Sequence, residues 1–121
     1  MDDPDRKSLL IGVVGPCGSG KSTLIARLKN AGYSGRHIAQ EHSYVPYMWK
    51  RITNPDVLVY LNASFETCTR RRRLNWTLED YNEQLRRLTH ASQNADLIID
   101  TDTITPDEVL SLLMKYLESK R

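Results

Sequence analysis

The sequence predicts an α/β protein built on an open, mostly parallel sheet of about four strands, with helices on both faces. Three observations lead there. Short apolar runs at residues 9–14, 57–61 and 95–100 have the length and composition of strands buried on both sides. Helix-forming stretches with their own cap residues fall between and after these runs, and strands alternating with helices make parallel sheets. The first run is followed at once by a glycine-rich loop and a helix, the local order in which a strand delivers a loop to a helix N-terminus. With 121 residues the chain is expected to be one domain, able to bury about two-thirds of its unfolded surface but too short for a separate substrate domain.

The first strand (Leu-Leu-Ile-Gly-Val-Val) leads into Gly15-Pro16-Cys17-Gly18-Ser19-Gly20-Lys21-Ser22, which fits G-x-x-x-x-G-K-[ST] at every fixed position. Such a loop folds back around phosphate oxygens with backbone N–H groups pointing inward, and glycines keep side chains out of the way. The helix expected at residues 22–31 aims its unpaired N–H groups and positive dipole end at the same anion. Lys21 would reach the β- and γ-phosphates, and the Ser22 hydroxyl would ligate Mg²⁺. Gly15, Pro16, Cys17, Gly18, Ser19, Gly20, Lys21, Ser22 and Thr23 are therefore the candidate binding set for a nucleoside triphosphate. Cys17 reads as a small filler at a tolerant position, with a more reactive thiol near a helix N-terminus as the alternative.

Gly32 and Gly35 mark a turn, and residues 36–40 read as a weak second strand ending at Glu41-His42. Residues 43–51 are aromatic and basic, a loop with a helical turn after Pro46. Asn54-Pro55-Asp56 is turn chemistry before the strand at 57–61. Ser64 can cap a helix running into Arg70-Arg71-Arg72-Arg73. Thr77 can cap another, on which Leu78, Tyr81, Leu85 and Leu88 recur at helical spacing. After the last strand, Thr105-Pro106-Asp107-Glu108 supplies an N-cap, a first-turn proline and a capping-box glutamate ahead of an apolar helix face. Ligands of parallel sheets sit at the carboxyl ends of strands, which directs attention to residues 15–22, 40–42, 62–64 and 100–105.

Two carboxylates could serve a metal there. Glu41 is preferred because its strand is expected beside the first one; Asp100, closing a more convincing apolar strand, is the alternative. Four consecutive arginines cannot all point one way. Those that face the phosphates would offset charge on a transferring phosphoryl group, whereas a solvated basic helix end is the competing reading. Arg70 and Arg73, with Lys21 and Glu41, form the candidate catalytic set. His42 is a candidate acid–base group. Trp49 and Trp76 read as packed side chains before they read as stacking platforms, and the stretch from Tyr44 to Arg51 has the side chains to line an acceptor pocket.

The formal charge of +2 gives no general affinity for polyanions, so nucleic acid is not the expected partner. Cys17 and Cys68 are too few for a disulfide framework or a metal knuckle, and a reducing cytoplasm is the expected setting. Residues 1–7 lack the apolar core of a signal peptide and are expected to be flexible, and no run is long enough to span a bilayer. The absence of Asn-Lys-x-Asp and Asp-x-x-Gly argues against a GTPase.

These features together resemble the P-loop nucleoside and nucleotide kinases, the group containing adenylate, thymidylate and shikimate kinases. The resemblance spans residues 9–117. It rests on the loop at 15–23, the strand and turn at 57–64, the arginines that follow, and Ile98-Ile99-Asp100-Thr101-Asp102 before the final helix. It implies a three-layer α/β/α P-loop NTPase fold, ATP and Mg²⁺ as cofactors, and transfer of the γ-phosphate to a small acceptor. It also implies that the arginine segment acts as a lid, and that the loop holding Asp102 and Thr103 lies against the adenine. The chain departs from the family in having Asn62 for the frequent Asp. Only about twenty-five residues, moreover, separate the first helix from Val57, where the family commonly carries a larger acceptor-binding insertion. A regulatory nucleotide-binding module or slow ATPase is therefore the alternative expectation.

Overall fold

Four short parallel strands form one sheet in the order β2-β1-β3-β4: β1 (Leu10–Val14), β2 (Ser34–His37), β3 (Val57–Asn62) and β4 (Leu97–Asp100). The computed structural model describes residues 9–120, and the expected flexible start, residues 1–7, lies outside them. Val13 is in register with His37 on one side and Val59 on the other, and Asn62 with Asp100 across the β3–β4 pair. β1 and β3 are the inner strands, which explains why both are apolar almost throughout.

Alternate side chains of the inner strands feed two cores. Ile11, Val13, Val57, Val59 and Leu61 pack with Leu24 and Leu28 of α1 (Lys21–Asn30) and Val109, Leu113 and Leu117 of α5 (Pro106–Ser119). Val14, Leu58 and Tyr60 pack on the other face with Ile38, Trp49, Leu88 and Ala91. That second layer comes from a π-type turn (Trp49–Thr53), α3 (Leu78–Arg87) and α4 (Thr89–Asn94). A smaller cluster of Ala63, Cys68 and Tyr81 seats α2 (Phe65–Arg72), with the Tyr81 hydroxyl donating to the Ala63 carbonyl at 2.6 Å. The molecule is thus an α/β/α sandwich on an all-parallel sheet. No helix among the described residues is long and apolar enough to cross a membrane.

The predicted caps are in place. Ser64, Thr77 and Thr105 accept hydrogen bonds from the backbone N–H of Thr67, Asp80 and Glu108, and the last two complete reciprocal capping boxes. Two elements differ from expectation. β2 begins at Ser34 and stops at His37, so Gly35 is a strand residue and not a turn residue. A Cβ there would stand 3.0 Å from Ile25 Cδ1 and 3.2 Å from Leu28 Cδ1, so the missing side chain is what lets α1 lie close to the strand. The chain then leaves the sheet, and residues Gln40–His42 form a 3₁₀ turn instead of the end of a strand. The helical pattern that starts at Thr77 is likewise followed by a separate helix, α4, which places Ala91 in the core.

The loop after β1 is pressed against β3. A Cβ on Gly15 would lie 2.4 Å from the Leu61 carbonyl oxygen and 2.6 Å from Ser19 Oγ. Gly15→Ala should therefore lower the unfolding free energy by about 1–3 kcal/mol, read as a fall in the urea midpoint at unchanged slope. A wild-type midpoint would mean that strand and loop are not in contact.

Candidate functional site

Between Val14 and Lys21 the chain leaves the sheet in a tight loop, with Ser19 N donating to Pro16 O at 3.1 Å. The loop is gripped from two sides. Gly15 abuts Leu61, and a Cβ on Gly18 would come within 2.7 Å of the Cys68 carbonyl oxygen. At its end Gly20 takes φ 106° and is the N-cap of α1, which has no side-chain cap; nothing lies within 4 Å of a Cβ placed there. The contrast with α2, α3 and α5, all capped by Ser or Thr, leaves the first turn of α1 with orphan N–H donors to offer an anion. That turn opens on a cleft of about 300 Å³ lined by Gly18, Gly20, Lys21, Ser22 and Thr23 together with His37, Arg71 and Arg72.

Lys21 is buried. Its ammonium donates to Gly15 O at 2.6 Å and Pro16 O at 3.1 Å and stands 3.0 Å from Glu41 Oε2. Three acceptors saturate it. Glu41 reaches this point on the 3₁₀ turn, which Gln40 fixes by donating to Val45 O at 2.8 Å and accepting from Trp49 N at 2.8 Å. The second Glu41 oxygen, Oε1, and the Ser19 hydroxyl are buried with no hydrogen-bond partner among the described residues. A buried carboxylate oxygen left so is costly unless a cation or donor can reach it. Of the two candidate acids, Glu41 meets Lys21, whereas Asp100 is exposed at the sheet end and caps its own loop by accepting from Asp102 N. Ser22 is exposed in the cleft; Glu41 is not among the residues that line it.

Helix periodicity sorts the arginines. Thr67 and Cys68 form the buried face of α2, and one turn later come Arg71 and Arg72, both of which line the cleft. Arg71 bonds both the hydroxyl and the carbonyl of Thr101, the former at 2.9 Å, and reaches Gly18 O at 3.3 Å and Ser19 O at 3.4 Å. It ties the glycine loop to the end of β4. Arg72 makes no ion pair among the described residues. Arg70 and Arg73, the expected pair, are exposed and do not line the cleft; Arg73 ends the helix in the left-handed conformation (φ 51°). The four-residue spacing from Thr67 and Cys68 to Arg71 and Arg72 was the available signal, and it favours the middle of the run.

A second hollow of about 180 Å³ lies between the loop and α5, with Leu24, Leu61, Ile104, Pro106 and Val109 as its apolar lining and Arg71 and Thr101 at its polar side. From the loop after β4 it takes Ile104; neither Asp102 nor Thr103 lines it. Asp102 instead accepts from Ser64 N at 2.8 Å, and Thr103 is exposed. Burial pushes the Asp102 carboxyl up, but hydrogen bonds from the Ser64 backbone and the Thr67 and Ser64 hydroxyls, with the Arg71 charge, outweigh it and hold the group below the usual range. Both tryptophans are packed: Trp49 Nε1 donates to His90 Nδ1 at 3.1 Å, and Trp76 donates to Thr69 Oγ1 and stacks on Phe65. Tyr44 is 85% exposed, with the Arg87 guanidinium 4.4 Å above its ring.

The chain matches no protein-family model and no curated protein.

The ion pair and the cleft histidine each give a test. Lys21→Met should cost about 3–5 kcal/mol of stability, because it strands a buried carboxylate. The double variant Lys21→Met with Glu41→Met should recover most of that loss in urea unfolding. Equal costs for the single and double variants would show that the pair is not buried. Burial, and then the Lys21 charge, lower the His37 pKa below 6.5, with Glu41 opposing them. The folded state thus binds this proton more weakly than the unfolded chain, so the His37 contribution is intact above pH 6.5 and is lost as pH falls below it. A proton NMR titration should find His37 below its ordinary value.

Proposed function

We propose that the chain binds ATP with Mg²⁺ on the glycine loop and transfers the γ-phosphate to a small acceptor. The observation that carries this reading is the combination of an uncapped helix N-terminus, a loop whose shape is held by glycine contacts, and a buried lysine at its centre, all opening on one basic cleft. On binding, Lys21 would give up a carbonyl or Glu41 for a phosphate oxygen, and the N–H groups at the start of α1 would take others. Arg72 and His37 would face the same charge, while Arg71 keeps the loop in place through Thr101. The apolar hollow beside Ile104 and Pro106 suits a base.

Magnesium fits the donors present: the exposed Ser22 hydroxyl and the Glu41 carboxylate are hard oxygen ligands, and Glu41 carries a buried oxygen without a partner among the described residues. When bound, the ion would neutralise charge developing on the β- and γ-phosphates. Ser22 would hold it directly, and Glu41, once freed from Lys21, would hold it or one of its waters. The acceptor side falls to the 3₁₀ and π-type turns between β2 and β3, which bring side chains but no domain, so the acceptor would be small. A second reading, a regulatory nucleotide-binding module or slow ATPase, is favoured by the anchoring of Arg71 to Thr101, which restrains the arginine segment as a moving lid.

ATP consumption with and without a panel of nucleosides, nucleotides and small hydroxy acids separates the two. Stimulation by one acceptor, lost in Lys21→Met, makes the chain a kinase; thermal stabilisation by ATP without turnover makes it a module. Arg72→Ala should weaken ATP binding about tenfold, the value of one charge-assisted hydrogen bond of about 1.5 kcal/mol. ATP in the cleft should also raise the His37 pKa by NMR. If the double methionine variant and Arg72→Ala both bind ATP like the wild type, the nucleotide does not occupy this loop.

A further inference from the structure

We propose that Cys17, Glu41 and His42 form a second metal site, for a thiophilic divalent transition ion such as Zn²⁺, next to Lys21 but outside the residues that line the phosphate cleft. Folding brings together three ligand types that are widely separated in sequence. Cys17 Sγ lies 3.4 Å from His42 Nε2 and 3.8 Å from Glu41 Oε2, and these last two atoms are 3.8 Å apart. In a tetrahedral zinc site, with Zn–S near 2.3 Å and Zn–N or Zn–O near 2.0 Å, ligand atoms are about 3.3–3.5 Å from one another. The triangle is therefore within about half an ångström of the required size on every edge. None of the three residues lines the cleft.

The donors are also held in place. Cys17 N donates to Gln84 Oε1 at 3.0 Å, and Gln84 Nε2 donates to Cys17 Sγ at 3.3 Å, which fixes the sulfur from α3. Glu41 is fixed by burial and by its contact with Lys21, and Oε2 is the oxygen that stands within reach of Cys17 and His42. The His42 side chain is 59% exposed, giving an ion a way in and room for the ring to adjust. A sulfur, nitrogen and carboxylate set suits Zn²⁺, Co²⁺ or Ni²⁺ and not the oxygen-seeking Mg²⁺ or Ca²⁺. Three protein ligands leave a fourth position for water. On binding, the metal–sulfur bond forms as the Cys17 thiol proton passes to solvent. Glu41 Oε2 is also the atom that holds Lys21, so metal and ammonium compete for it. If the triphosphate reading above is correct, an ion here would free Lys21 for phosphate and, by taking Glu41, would leave Mg²⁺ to the Ser22 hydroxyl; the site itself does not depend on that reading.

The test uses chelator-treated protein, free of nucleotide, titrated with Co²⁺ alone. One equivalent should produce a sulfur-to-cobalt charge-transfer band in the near ultraviolet with intense four-coordinate visible bands. Cys17→Ser should abolish the charge-transfer band, His42→Ala should weaken Co²⁺ binding at least tenfold, and Cys68→Ser should change neither, circular dichroism confirming that each variant is folded. No charge-transfer band in the wild type, its survival in Cys17→Ser, or equal binding by His42→Ala would overturn the site. Failure to bind ATP would leave this result untouched, and failure to bind Co²⁺ would leave the ATP titration untouched, so the two proposals fall separately.

Discussion

The structure is organised around one buried ion pair. Lys21 and Glu41 are both more than nine-tenths buried, and removing two such charges from water costs several kcal/mol for each ion. That cost is met only if every donor and acceptor is placed, and this requirement fixes more of the chain than the two residues themselves. The lysine needs the carbonyls of Gly15 and Pro16, so the loop must turn back on its own helix. The glutamate needs the 3₁₀ turn, so the chain must leave the sheet at His37, and Gln40 must pin that turn to Val45 and Trp49. β1, α1, β2 and the turn after it are held to one arrangement by a contact that leaves one carboxylate oxygen unsatisfied.

Much of the fold was legible because local signals and global demands agree. The apolar runs of β1 and β3 are long enough to be buried on both faces, and the caps at Ser64, Thr77 and Thr105 are written in adjacent residues. Where local and tertiary demands part, the sequence misleads. Gly35 carries the ordinary sign of a turn, yet it is a strand residue because Ile25 and Leu28 approach from α1, and nothing near Gly35 in sequence records that approach. The start of α4 has no side-chain cap and so no signature to read.

The site divides in the same way. The loop motif is contiguous, so its residues could be named from their order. The choice of Glu41 over Asp100 rested on the adjacency of successive strands, and the order β2-β1-β3-β4 does put β2 next to β1. The run of arginines gave chemistry without direction. Arg70 and Arg73 at its two ends are exposed outside the cleft, while α2 turns its middle toward the loop because Thr67 and Cys68 are buried one turn earlier. The approach of Cys17 to His42 and Gln84 joins residues 25 and 67 positions apart, and no spacing rule could have foreseen it.

The contact between Gly15 and Leu61 has a kinetic side. The glycine loop is drawn from one end of the chain, yet its walls are the tail of β3 and the backbone at Cys68, so it has no cradle until distant segments have docked. Non-local pairing of this kind is slow to form. A half-folded chain would then present the loop's residues without its shape, and occupancy of that shape would report the completion of folding, making any ion or nucleotide held there a companion of the native state alone.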